Sequence, residues 1–324
     1  MNSVIPFAPV AKEVTMKIRN IRILVCAAII IIAGISQAED TVPAFPKSAR
    51  IDEFLKSERL KLTVKSEDAL VNGYILVVAQ GKGRTQAQAR TAAHAVAVGM
   101  VANILADLPV AENTLLKTVQ RDYSDTISVT ISGHIRGVQR LETDFNAEEK
   151  IAYELARLGI SASGQLIAAL HGELAAQPDT RKALFGQRLL YTLPAGIPPV
   201  ESDGLIVEVG GTGFKPAVVN RIFVSTGELV FDPCAGDKNA IVETTPPLFS
   251  GSLEAARGIL EKRGLLNLLT VKAEALSNGS DLTVTSDDAA KILAGETAMK
   301  MLTRRNVVYV LGVETAGKQG DEAK

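Results

Sequence analysis

The chain has 324 residues, 35 basic and 36 acidic side chains, 47% hydrophobic residues, two cysteines and no tryptophan. That balance leaves no basic footprint for a nucleic-acid partner, and 4% aromatic residues fit poorly with base-stacking or carbohydrate-binding platforms. The length suffices for about two or three compact domains with cores of small aliphatic side chains.

The first signal is for export. Lys17, Arg19 and Arg22 form a basic lead, Ile23 to Ile35 is apolar without a charge, and Ser36-Gln37-Ala38 places small residues before Glu39. This three-part pattern predicts a secretory signal over Met16–Ala38, with translation starting at Met16; the alternative is that residues 1–15 belong to an unusually long n-region. The apolar run falls short of the about 20 residues that span a bilayer, so no stable transmembrane anchor is expected after cleavage. Cys26 is preceded by Val25 and lies within the apolar run, so it does not read as a lipidation site. Removing Lys12, Lys17, Arg19, Arg22 and Glu13 leaves 31 basic and 35 acidic groups, a net charge of −4. Cys234 is then alone and no internal disulfide can form.

Residues 41–143 read as a strand-helix-strand domain. A charged lead-in carries a helix over Ile51 to Leu60. Tyr74 to Ala79 is a β-branched and aliphatic strand closed by Gly81-Lys82-Gly83. Thr85 and Gln88 form a capping box opening a helix to Leu105, with Ala89, Ala93, Val96, Met100 and Ile104 as its apolar stripe. Thr126 to Ile135 alternates, with Ile127, Val129, Ile131 and Ile135 on one side, and predicts a strand with one wet face. Residues 144–178 read as a helical hairpin, with Ile151, Leu155 and Leu158 on one arm and Leu166, Ile167, Leu170 and Leu174 on the other. A proline-punctuated linker follows over 179–203.

Residues 204–313 read as a second α+β domain. Leu205 to Val209 is a strand. Val218–Val224 with Glu228–Phe231 forms a hairpin about Ser225-Thr226-Gly227, and Pro233 to Leu248 is an irregular loop. A helix runs from about Ser252 to Gly264, and Leu268–Ala275 with Leu282–Thr285 forms a second hairpin. Ser286 caps a helix over Asp287 to Leu302, and Val307 to Leu311 is a closing strand. Residues 314–324 are a polar tail expected to be disordered. The fold class expected is α+β.

The stretch from Tyr74 to Gly137, with GRTQAQARTAAHAVAVGMVANIL and ISVTISGHIRGV, resembles the Lpp-twenty-type bacterial lipoprotein domain and the N-terminal part of flagellar assembly protein T. The stretch GLIVEVGGTGFKPAVVNRIFVSTGELVF, with TVTSDDAAKIL, resembles the C-terminal domain found in larger proteins of that group. Together they cover about two thirds of the chain past residue 38. The resemblance implies an exported α+β protein with an envelope-assembly role and no established catalytic residues. The chain departs from it in lacking a lipidation cysteine, in the segment 147–176, and in Gly210 where an arginine is expected.

No catalytic, cofactor or metal residues are expected. His94, His134 and His171 have no cysteine or carboxylate at ligand spacing, and Cys234 has no histidine close in sequence. Neither a G-x-S-x-G nor an H-E-x-x-H motif occurs. Gly83 and Arg84 at a helix start, and Gly211 to Lys215 after a strand, are the candidate anion-binding positions. Both glycine clusters are also explained as turns, and Asp287-Asp288 as helix-start charge. The expected function is a non-enzymatic periplasmic structural or assembly protein acting through envelope proteins, a second copy of the chain included. The alternatives are a periplasmic module for a small anionic ligand and, third, an envelope enzyme.

Overall fold

The computed structural model describes residues 45–122, 125–276 and 279–312. The expected export signal and polar tail lie outside these residues.

Two short helices, α1 (Ala49–Ser57) and α2 (Ser66–Asn72), precede strand β1 (Tyr74–Lys82). Helix α3 (Gln86–Ala106) follows, with Thr85 as its N-cap accepting from Gln88 N. Strands β2 (Pro109–Ala111) and β3 (Thr114–Leu115) form a small pair. Helices α4 (Leu116–Asp122) and α5 (Asp125–Ile135) lead to β4 (Gln139–Asn146) and β5 (Ile151–Gly159). Strand β5 is central in an antiparallel sheet of order β1-β5-β4, opposite β1 from Tyr74↔Gly159 to Lys82↔Ile151. Helix α3 covers one face of this sheet and α1 packs against the other.

Glycine sets the contact between α3 and β1. A Cβ at Gly81 would stand 2.1 Å from Ala93 N and 2.6 Å from Ala89 O. The residues buried along α3 are Ala89, Ala93, Ala97, Val101 and Leu105, which corrects the expected stripe after Ala93. Steps of four advance about 40° per repeat around a helix of 3.6 residues per turn. The contact line therefore winds across the twisted sheet, and Val96 is left exposed.

Two expected elements are corrected. The alternating segment Thr126 to Ile135 is helix α5, not a strand. Ile127 and Ile131 are four apart, a spacing that one strand face and one helix face share. Val129 separates the two: as a strand residue it should share their burial, yet it is 70% exposed while they are 1% and 3%. The first arm of the expected helical hairpin is strand β5. Central strands are covered on both faces, and Ala152, Glu154, Leu155, Ala156 and Leu158 are all buried, so no alternation marked it. The helical pair lies further on, as α6 (Leu166–Ala175) and α7 (Pro178–Phe185), with Pro178 in the first turn, where its missing N–H costs nothing.

Strand β6 (Gly204–Glu208) opens the remainder. Strands β7 (Ile222–Val224) and β8 (Leu229–Phe231) pair as an antiparallel hairpin about Gly227, whose φ is +93°. The expected irregular loop contains α8 (Lys238–Glu243), capped by Asp237. Strand β9 (Leu248–Ser250), α9 (Leu253–Glu261), β10 (Leu268–Lys272), β11 (Ala275–Leu276) and β12 (Leu282–Val284) follow. The single helix expected over Asp287 to Leu302 is two, α10 (Ser286–Leu293), with Thr285 rather than Ser286 as N-cap, and α11 (Glu296–Thr303). They part at Gly295, whose φ of +105° is left-handed territory, and there Val200 N donates to Ala294 O. Strand β13 (Val307–Val310) ends the described chain.

These strands form a parallel sheet of order β10-β6-β13-β9 and a mixed sheet of order β11-β12-β7-β8. Helix α9 covers one face of the parallel sheet through Ala256 and Leu260 on Ile206 and Val308. The other face, with Leu205, Val207 and Tyr309, joins a core that also holds Val77, Val101, Leu158, Leu166 and Ile222. The described residues thus share one compact unit, an α+β fold. Backbone bonds from Val218 N to Pro109 O and Val219 N to Val110 O tie its two halves.

Candidate functional site

An open cleft of about 1040 Å³ lies where α5, the end of β5, α6 and α8 meet. Val129, Thr130, Gly133 and His134 line it from α5, and Arg157, Leu158 and Gly159 from β5. Ala169 and Glu173 come from α6, Lys238, Asn239, Val242 and Glu243 from α8, and Gln139 from the start of β4.

Several polar groups of the cleft are bound to one another. Lys238 Nζ lies 2.8 Å from Glu173 Oε1, and Thr130 Oγ1 donates to the same oxygen at 3.4 Å. His134 Nδ1 donates to Thr130 O at 2.8 Å, one turn back along α5, and its Nε2 faces Gly164 O at 3.4 Å. Gly164 N donates to Val242 O, and Ser163 Oγ to Glu243 O, so the α6 and α8 walls are tied. Arg157 is different. Its guanidinium lies 4.5 Å over the Tyr74 ring, and among the described residues no carboxylate pairs with it.

A second polar centre sits under α3. Glu154, fully buried on central strand β5, receives His94 Nδ1 at 2.6 Å and Arg140 Nε at 2.7 Å. A buried carboxylate is tolerated because it is paired. Both partners reach solvent, so the group is a charge-neutralising brace. Sequence spacing hid it: His94 and Glu154 are 60 residues apart.

A third cluster is internal to the second half. The Arg221 guanidinium pairs with Asp281, both buried, and lies over Phe185 and Phe223. Arg305 donates to Pro233 O at 2.7 Å and Ile241 O at 2.9 Å, and also to Thr244 Oγ1. Cys234 is buried, and burial foremost, then the Asp232 charge, pushes its thiol well above the usual value. A protonated, enclosed thiol is a poor nucleophile. His171 Nε2 donates to Val218 O at 2.6 Å while Nδ1 finds no partner among the described residues. Burial, with the Arg305 charge in the same direction, lowers its pKa to about 4 against the opposing Val218 bond. His171 is therefore a neutral core residue at pH 7.

The expected anion positions lie outside the cleft lining and in separate places. Gly83 N donates to Lys150 O, and Arg84 N to Gln88 Oε1, at the junction of β1 and α3. Gly211, with φ of +80°, lies in a turn after β6, and Lys215 N donates to Gly279 O. No helix begins at that turn, so it offers no helix N-terminus for a phosphate. Among the described residues no group of three or more His, Cys, Asp or Glu side chains is placed to hold a metal ion. His134, expected on a strand, lines the cleft from a helix.

Residues 204–313 match the model of the family described as Treponema pallidum Tp0624, second domain. That match runs from the first residue of β6 past the end of β13. No curated protein matches the chain. The cleft takes its α8 wall from inside the Tp0624-type stretch and its other walls from residues that precede it.

Proposed function

We propose that the protein is a non-enzymatic component of the bacterial envelope that works by holding a partner protein in the cleft between α5, β5, α6 and α8. The observation that carries this reading is the state of the groups lining the cleft. Glu173, Lys238, Thr130 and His134 are bound to one another or to backbone carbonyls, which makes a shaped recognition surface. The enclosed, protonated thiol of Cys234 lies outside the cleft lining. The volume is at the upper end of small-ligand pockets, and the cleft is open, as suits a polypeptide. Val129 adds an exposed apolar side chain at its rim. The apolar run before Glu39 supports export.

Hydrogen exchange tests the reading. The protein within isolated envelope fractions should gain protection over residues 125–137 and 238–243 relative to the purified protein. Protection confined to other segments, or none, would contradict it.

A further inference from the structure

We infer that the cleft receives the C-terminal carboxylate of an extended peptide, held by Arg157 with Gln139 and Gln165. The inference rests on the reading of the cleft as a docking site and names what enters it.

Three observations converge. The first is charge. Glu173 is compensated by Lys238, whereas Arg157 has no carboxylate partner among the described residues. The lining thus includes Arg157, whose guanidinium rests on the Tyr74 ring and pairs with no carboxylate among the described residues. Arginine presents donors in a planar fork that fits a carboxylate.

The second is the grouping of donors. Gln139 is the cross-strand partner of Arg157, so the two side chains stand side by side. Gln165 lies over Gly159, its amide occupying the space a Cβ there would take, at 2.7 Å for Nε2 and 3.0 Å for Oε1. Ala162 N donates to Gln165 Oε1 at 3.0 Å, which orients the amide and leaves Nε2 as a donor. Gly159 and Gln165 are thereby matched, and the amide, like Arg157 and Gln139, lines the cleft.

The third is the open end of strand β5. Pairing with β1 runs to Gly159, but pairing with β4 stops at Arg157. Ile160 N bonds Gly73 O on the β1 side, so ladder parity turns the amide and carbonyl of Gly159 the other way, into the cleft. An extended peptide can add there. Running toward β4 it meets Gln139 and must end, beside Arg157, which no carboxylate among the described residues compensates. A chain terminus with a negative charge is what this geometry accepts. Val129 and Val242 offer apolar contact for the preceding side chains.

The protein purified from cells is titrated with three probes: acetyl-Ala-Val-Ala with a free carboxylate, the same peptide as its C-terminal amide, and acetyl-Ala-Glu-Ala amide. The free acid should bind at least tenfold more tightly than either amide, and Arg157→Gln should abolish that ratio. Gln139→Glu, at an exposed position, should lower the ratio of acid to amide affinity, so a folding defect in Arg157→Gln does not decide the matter. Equal binding of acid and amide, no binding of any probe, or equal binding of the side-chain carboxylate would overturn the inference. Protection of 125–137 and 238–243 in envelope fractions without peptide binding would overturn it alone and leave the docking role standing.

Discussion

His171 shows how burial decides what a residue can do. Its pKa falls to about 4 in the folded protein, from an ordinary value of 6.5. The unfolded chain takes up this proton first, so stability is full above about pH 6.5 and falls as pH drops toward 4. The loss from this residue is roughly 3 kcal/mol. Urea unfolding at pH 7 and pH 4.5 should show a smaller pH-dependence in His171→Gln than in the unaltered protein. An equal or steeper dependence would mean that the histidine is solvated. The three histidines were visible as residue types, but their partners were not. Glu154 and Val218 are 60 and 47 positions away from the histidines they meet, and no local pattern announces such pairs. The cleft residues are scattered in the same way, from Val129 to Glu243 over five elements and the loops between them. The one local hint was Glu154 itself, a carboxylate in an otherwise apolar stretch from Ile151 to Gly159, apart from Arg157.

At the scale of elements, strands and helices with one dominant pattern were legible. Strand β1, the Thr85-capped helix α3, the β7–β8 turn at Gly227 and strand β13 each fall where local composition put them. Helix α5 and strand β5 did not. Isoleucines four apart fit both periods, and a strand covered on both faces has no alternation to read. Replacement of Ile131 by Ala should cost about 2–5 kcal/mol through lost burial and a residual cavity. Val129→Ala should cost less than about 0.5 kcal/mol, as exposed substitutions do. Denaturation midpoints decide this pair. Similar losses at both positions would return the segment to a strand. Gly81 belongs to this scale too: it was legible as a turn signal, but its role is to let α3 lie on β1.

For the whole molecule, the α+β class was legible, because helical and strand periods alternate along the chain. The shared core was not. Two separate domains were expected, and nothing in the pattern of Val77 or Leu205 says that they enter one core. That joining creates the cleft, whose α8 wall comes from the Tp0624-type stretch. Export is a whole-chain property as well. N-terminal sequencing of the protein from a periplasmic fraction should begin at Glu39, and retention of residues 16–38 would refute cleavage there.

The central claim is that the cleft holds an envelope partner. A photocrosslinking residue placed at Val129, on the cleft rim, addresses it in intact cells, with Leu266, 78% exposed and outside the cleft lining, as the control. A discrete adduct with an envelope protein from position 129, absent from position 266, is the predicted result. The same adducts from both positions, or none from 129, would contradict the account.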